Sequence, residues 1–234
     1  MTDLPEADPP NAASRPEFDM PAHVRKVLRR LAKQYPDAHC ALDYETPLQL
    51  LVATILSAQC TDERVNKVTP ALFAAFPDAG ALANAPLKEI ETLVRSTGFY
   101  RNKAKNIQLC CRTLMEKYGG RVPKTMEKLH ELAGVGRKTA NVVLSDAFGV
   151  PGITVDTHVG RVSRRLGLTV HTDPVRVEFD LMAILPKRSW NRFNHRMIFH
   201  GRQVCHSKSP ECDDCLMARI CPKAGVTRKA RPKR

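Results

Sequence analysis

The sequence predicts an all-α fold of many short helices, and three observations carry that prediction. Apolar residues recur at helical spacing along nearly the whole chain. Prolines sit where helices would start and glycines where they would stop. No convincing run of strands interrupts the pattern, and there is no long internal repeat. Taken in order, Val24, Val27, Leu28 and Leu31 fall at i, i+3, i+4 and i+7, which puts them on one face of a helix. Thr46-Pro47 and Pro86 read as helix starts, because proline is tolerated at a first helical position. Ile107, Cys110, Cys111 and Leu114 repeat the apolar stripe of the first helix. Gly98, Gly119-Gly120 and Gly134 read as stops.

A chain of 234 residues can bury one large core or two small ones. No apolar run is long enough to span a bilayer. Residues 1–18, "MTDLPEADPPNAASRPEF", lack an apolar core and carry several acids. They read as a disordered leader, neither a secretory signal nor an Arg-rich transit peptide. With no export signal, the eight cysteines are expected in a reducing compartment, the bacterial cytoplasm, where metal ligation is favoured over disulfides. Cys40, Cys60, Cys110 and Cys111 are scattered among apolar neighbours and read as core or half-buried thiols. The net charge of +13 calls for a polyanionic partner. Nucleic acid ranks above membrane, since no strongly basic amphipathic helix stands alone. Part of the excess lies in the basic tail, residues 222–234, which equally reads as a solvated end.

In "LHELAGVGRKTANVVLSDAF" a helix ending near Glu131 would meet the turn Leu132-Ala133-Gly134-Val135-Gly136, and a new helix would begin at about Arg137. Ala140, Val143, Leu144 and Ala147 share the face expected to pack inward; Lys138, Asn141 and Ser145 fall on the other side. Two glycines opening a helix let backbone N–H groups approach an anion closely, helped by the positive helix end. Such a helix-hairpin-helix grips a DNA phosphate without reading sequence. Many helix-helix turns need glycine for geometry only, so Gly134, Val135, Gly136 and Arg137 count as DNA-binding candidates only because the chain is basic.

Lys138 would lie near the positive helix end and beside Arg137, and both disfavour its charged form. A lysine so placed can offer a neutral amine as nucleophile; the plainer alternative is a phosphate contact or a solvated side chain. In "GITVDTHVGRVSRRLGL", Asp156 precedes a helical pattern of Val159, Val162, Ser163 and Leu166, an N-cap position. Most such aspartates only cap. A cap carboxylate also stays ionised, however, and can stabilise positive charge developing on a sugar.

Near the C-terminus, "CHSKSPECDDCLMARIC" gathers Cys205, Cys212, Cys215 and Cys221 into one segment. Four thiolates suit either zinc or an iron–sulfur cluster. Spacing alone does not decide, although uneven wide gaps suit the bulkier group.

The segments "LAGVGRKTANVVL" and "VDTHVGRVSRRLG", followed by these four cysteines, resemble the endonuclease III family of helix-hairpin-helix DNA glycosylases. The resemblance takes in "LLVATILSAQCTDERVNK" and "STGFYRNKAKNI" and runs from about Val24 to Cys221. It implies two all-α lobes with a DNA cleft between them, residues 40–148 forming one and residues 19–39 plus 149–221 the other. It further implies a monomeric, bifunctional glycosylase and abasic-site lyase acting on oxidised pyrimidines in duplex DNA. Lys138 matches the family's nucleophile and Asp156 its catalytic carboxylate, the two facing each other across the cleft. Gln59 matches the residue that fills the space left by the flipped nucleotide. Phe99 stands at the wedge position, where relatives often carry an aliphatic side chain, and His158 is placed to reach the DNA backbone. The spacing of Cys205, Cys212, Cys215 and Cys221 resembles the family's 4Fe–4S loop, which would hold Lys208, Arg219 and Lys223 as a basic patch. The alternatives are a mismatch glycosylase acting on adenine or thymine, a non-catalytic DNA-binding module, and a zinc-stabilised interaction protein.

Overall fold

The computed structural model describes residues 19–226; the leader 1–18 and the last eight residues of the basic tail lie outside the described residues. Among the described residues the regular structure is helical throughout, with no strand. Among the described residues no helix is long and apolar enough to cross a membrane.

The chain divides into two compact units. The first comprises Asp37–Thr154 together with Lys187–His195. It contains α2 (Pro47–Leu56), α3 (Asp62–Ala75), α4 (Ala79–Asn84), α5 (Leu87–Val94), α6 (Tyr100–Tyr118), α7 (Met126–His130) and α8 (Arg137–Val142). A 3₁₀ turn, Arg95–Thr97, follows α5. The helix starts are set by short polar side chains. Thr46 and Gln49 form a reciprocal capping box at α2, with Pro47 at its first position. Thr61, Asp78 and Thr125 accept from amides in the first turns of α3, α4 and α7. Pro86 caps α5 from one residue outside it. At the other end of α6, Gly119 adopts the left-handed conformation that terminates a helix.

The long helix α6 organises this unit, packing against α4, α5 and α2. Its stripe of Ile107, Cys110, Cys111 and Leu114 is without exposure, and Leu50, Leu51, Leu56, Leu72, Leu82 and Ile90 join the same core. Each such leucine or isoleucine contributes about 1.5–3 kcal/mol through burial. The thiols behave as small apolar groups here: burial pushes Cys111 up to about 12 and raises Cys110 as well.

The second unit holds α1 (Met20–Gln34), α9 (Thr157–Arg165), α10 (Pro174–Ile184) and the segment that follows α11 (Trp190–Gln203). The division between units falls within α11, at His195 and Arg196. Val24, Val27 and Leu31 of α1 are buried and Leu28 is half-buried. Val159, Val162, Ser163 and Leu166 of α9 are buried, as their spacing requires, with Val177 and Leu181 of α10 also in the interior. The His23 ring donates to the Leu166 carbonyl at 2.7 Å, tying α1 to the end of α9.

The division differs from the expected boundaries at 39/40 and 148/149. Residues 149–154 and 187–195 belong with the bundle. Polar side chains account for this. Asn191 accepts from the Gly152 amide at 3.0 Å and donates to the Ser145 carbonyl at 3.3 Å. Asn194 donates to the Gly152 carbonyl at 2.9 Å, and His195 meets the Asp146 carboxylate at 2.8 Å. Asparagines in a helix interior give no apolar stripe, so helical periodicity does not reveal a connection of this kind.

Candidate functional site

The hairpin forms where expected, with α7 ending at His130 and α8 beginning at Arg137. Buried Leu132 and Val135 anchor the turn from below, so Val135 can offer an approaching group only its backbone. The two glycines do different work. Gly134 has φ +78°, and a Cβ there would meet the Asn106 Cβ at 3.0 Å, so the fold itself demands glycine. Gly136 has φ −88° as the N-cap of α8, and an added Cβ would meet nothing within 4 Å. No side chain caps this helix start. The missing Cβ therefore serves whatever approaches the helix start from outside.

Lys138, the second residue of α8, is exposed, while Ala140, Val143 and Leu144 pack inward. Asn141 and Ser145 do not share the exposure of Lys138, contrary to the simple helical wheel. Both are buried, and Asn141 donates to the Ile153 carbonyl at 3.1 Å. Residues 149–154 pack over the Asn141 side of α8, and beyond it a π turn, Val143–Ala147, winds more widely and shifts the face that Ser145 occupies.

Asp156 is the N-cap of α9, its Oδ1 accepting from the Val159 amide at 2.7 Å, and it remains half-buried. His158, one turn into the same helix, is also half-buried. Arg161 Nη2 lies 3.1 Å from its Nδ1, and Gly201 packs directly against it. Burial, with Arg161 and Arg202 adding to it, holds this imidazole below the ordinary histidine range. The structure therefore already gives His158 a packing role between α9 and α11.

Gln59 and Phe99 both lie at turn tips. Gln59 is exposed with φ +53°, in a tight turn closed by the Cys60 amide donating to the Ser57 carbonyl at 3.1 Å. Phe99 is 66% exposed with φ +48°, immediately ahead of α6. An aromatic side chain held in solvent on left-handed backbone is an unusual arrangement, of the kind found where strain is retained for function.

The four C-terminal cysteines line one cavity together with Val162, His200 and Met217. Among the described residues no group of three or more His, Cys, Asp or Glu side chains is arranged to hold a single metal ion. Backbone amides of Met217 and Lys223 donate to the Cys215 and Cys221 sulfurs, each at 3.3 Å, as amides do around thiolate ligands. Burial pushes the Cys221 thiol up to about 11 and raises Cys215, so a metal bound here would displace those protons. Of the expected basic patch, Lys208 and Arg219 are exposed, whereas Lys223 is half-buried on left-handed backbone and lines the cavity.

Sequence reasoning missed the groups that hold this segment. Buried Arg165 donates to the Cys205 sulfur at 3.3 Å and to the His206 and Ser207 carbonyls at 2.6 and 2.8 Å. Arg161 donates to the Gly201 and Cys205 carbonyls at 2.9 and 3.0 Å, and Arg30 to the Leu216 carbonyl at 2.6 Å. His200, held neutral by burial to about 4, sits 3.7 Å from the Cys215 sulfur. The i, i+4 pair Arg161 and Arg165 was the available signal, but in a chain of +13 it reads as part of the charge excess.

Residues 52–187 match the HhH-GPD superfamily base excision DNA repair protein family. The endonuclease III of Synechocystis sp. is 60% identical over 200 residues, covering 85% of this chain and 91% of that protein. A solved non-covalent endonuclease III–DNA complex superposes with a TM-score of 0.84 at 49% identity, covering 88% of this chain and 97% of the other. A trapped endonuclease III–DNA covalent intermediate gives the same TM-score of 0.84, 49% identity and coverages of 88% and 97%.

Proposed function

The chain belongs to the endonuclease III family, within the HhH-GPD superfamily of base excision DNA repair proteins, and on that premise we propose that it is a bifunctional DNA glycosylase and abasic-site lyase. Its substrate is duplex DNA carrying an oxidised pyrimidine, and its setting is the bacterial cytoplasm. The observation that carries the reading is Lys138: an exposed amine in the first turn of α8, directly behind a glycine turn whose amides carry no side-chain cap. A relative trapped as a covalent intermediate with DNA supports an enzyme nucleophile in this family.

In this reading the turn Gly134–Arg137 holds a phosphate through its open backbone, the Val135 amide being already given to the Leu132 carbonyl at 3.1 Å. The damaged nucleotide leaves the stack, because C1′ is out of an amine's reach within the duplex. Gln59 fills the vacated space and Phe99 wedges the base step. His158 reaches the backbone with its exposed edge. The Lys138 amine attacks C1′; the glycosidic C–N bond breaks, its electron pair leaving with the base, which takes up a proton. The sugar C1′–O4′ bond then opens, the nitrogen lone pair forming a C1′=N Schiff base while O4′ takes up a proton, and the protonated Schiff base acidifies the C2′ hydrogen. Loss of that proton expels the 3′ phosphate and nicks the strand, and water then releases Lys138. Asp156, held in place by its capping bond to the Val159 amide, stabilises positive charge on the sugar and assists the proton transfers.

Cys205, Cys212, Cys215 and Cys221 would hold a 4Fe–4S cluster, for which the shared cavity and the amide donors to sulfur are suited. When bound, the cluster supplies a rigid cross-link for the segment that carries Lys208 and Arg219. A monofunctional mismatch glycosylase activates water and has no use for an amine at position 138.

Borohydride trapping tests the assignment. Lys138→Gln is expected to bind damaged duplex yet give no covalent adduct and almost no strand cleavage. Asp156→Asn should keep some trapping at a preformed abasic site while base excision falls about a hundredfold or more. A full-strength adduct from Lys138→Gln would overturn the nucleophile.

A further inference from the structure

Lys103 is 5% exposed, one of the few charged side chains placed in the interior of the bundle unit. Its Nζ donates to the Leu56 carbonyl at 2.8 Å and to the Thr97 carbonyl at 2.7 Å. Those acceptors come from two different elements. Leu56 is the last residue of α2, and Thr97 is the last residue of the 3₁₀ turn. Helix-end carbonyls lack partners within their own helix and carry partial negative charge, so one ammonium satisfies two such ends at once. The backbone amide of Lys103 also donates to the Phe99 carbonyl at 3.1 Å.

Both clamped carbonyls lie just ahead of an unusual turn. Gln59 follows Leu56 by three residues and Phe99 follows Thr97 by two. Among the described residues, non-glycine left-handed backbone occurs at Gln59, Phe99 and Lys223, so two of those three positions share this one anchor. Such conformations persist only where the surroundings over-determine them. Both tips are exposed, while the residue behind them is buried. Burial holds the Lys103 ammonium below the ordinary lysine range, which is a cost of placing a cation there.

We propose that Lys103 is a positioning residue for base eversion, its ammonium fixing the spacing and aim of the Gln59 and Phe99 turns as a pair. The proposal rests on the reading of those turns as the parts that enter the duplex. A gap-filling side chain and a wedge must act at a fixed separation against the stiffness of stacked DNA. A single donor shared by both turn bases makes that separation a property of one side chain instead of two independent loops.

The test compares Lys103→Met with Gln59→Ala, Phe99→Ala and the unaltered full-length protein. Two single-turnover rates are measured: excision of an oxidised pyrimidine from duplex, and cleavage of an abasic site in a single-stranded oligonucleotide, which needs no eversion. Fluorescence of 2-aminopurine beside the lesion reports unstacking directly. Lys103→Met is expected to lower duplex excision on the order of tenfold and to suppress the fluorescence rise, with single-strand cleavage within about twofold of the unaltered protein. Unchanged duplex excision, or an equal fall on both substrates, overturns the proposal. If Gln59→Ala and Phe99→Ala lower duplex excision while Lys103→Met does not, the turns act as read and only the role of Lys103 fails. If neither turn variant has an effect, the reading of the turns fails and takes the proposal with it. Should Lys103→Met not fold, Lys103→Gln, which keeps an amide donor, carries the test: its duplex-to-single-strand ratio should fall about threefold, and an unchanged ratio overturns the proposal.

Discussion

The bundle around α6 and the cysteine segment from Val204 to Val226 hold their surfaces in place by different means. In the bundle, apolar side chains from seven helices form one continuous core, and the chemically interesting residues sit at turns above it. Lys138, Gln59 and Phe99 are all exposed, and each follows a short polar or glycine-containing turn. In the cysteine segment, Met217 is the buried hydrophobic residue among those described, other than the half-buried thiols. Order there comes from Arg165, Arg161 and Arg30 donating to carbonyls, and the cysteines face a common cavity. A core built on burial keeps its shape with nothing bound, whereas a loop held by hydrogen bonds and ligation depends on its cross-link.

Cys212→Ser should produce the largest contrast between the two regions. Loss of a soft ligand is expected to bleach the yellow-brown colour of cysteinate-bound iron and lower DNA affinity by about tenfold or more. The helical signal of the bundle should survive. A coloured, fully active variant would show that Cys212 is not a ligand.

The paired glycines offer a smaller and more selective break. Gly134→Ala places a Cβ 3.0 Å from that of Asn106 on backbone at φ +78°, so it should cost about 1–3 kcal/mol of stability in a denaturant titration. Gly136→Ala has open space around it and should leave the unfolding midpoint unchanged. It should nevertheless weaken binding to undamaged duplex severalfold, alike for all sequences, on top of a steep salt dependence. Unchanged affinity in Gly136→Ala would mean that the turn does not hold DNA.

The mildest probe leaves the sequence intact. Cys111 is pushed up to about 12 by burial and has no exposure. At pH 8 its thiolate fraction is on the order of 10⁻⁴. Alkylation followed by mass spectrometry should leave Cys110 and Cys111 unmodified in the native protein, while iron chelation exposes Cys205, Cys212, Cys215 and Cys221 to the reagent. Modification of Cys111 without unfolding would contradict the picture of a closed core.

Helix content, the burial of Ile107, Cys110, Cys111 and Leu114, the capping role of Asp156 and the start of α8 at Arg137 were all legible in the sequence. They depend on interactions within a few residues, where spacing along the chain equals spacing in the helix. The grouping of the four cysteines was legible too, since they fall within one short segment, and all four line one cavity. The inward turn of Asn141 and Ser145 was not, because the Ile153 carbonyl that Asn141 meets lies 12 residues on and a π turn shifts the face of Ser145. The return of residues 187–195 to the bundle and the internal use of Arg161 and Arg165 were equally hidden, because they are made by side-chain bonds to carbonyls distant in sequence. Periodicity reports which residues leave water. Only the folded chain decides which carbonyl a buried arginine, asparagine or lysine will meet. The sequence alone thus determined the helices and the turn chemistry. Tertiary structure decided that Lys103 holds the Gln59 and Phe99 turns together, since its two acceptors, 47 and 6 residues away in the chain, meet only through packing.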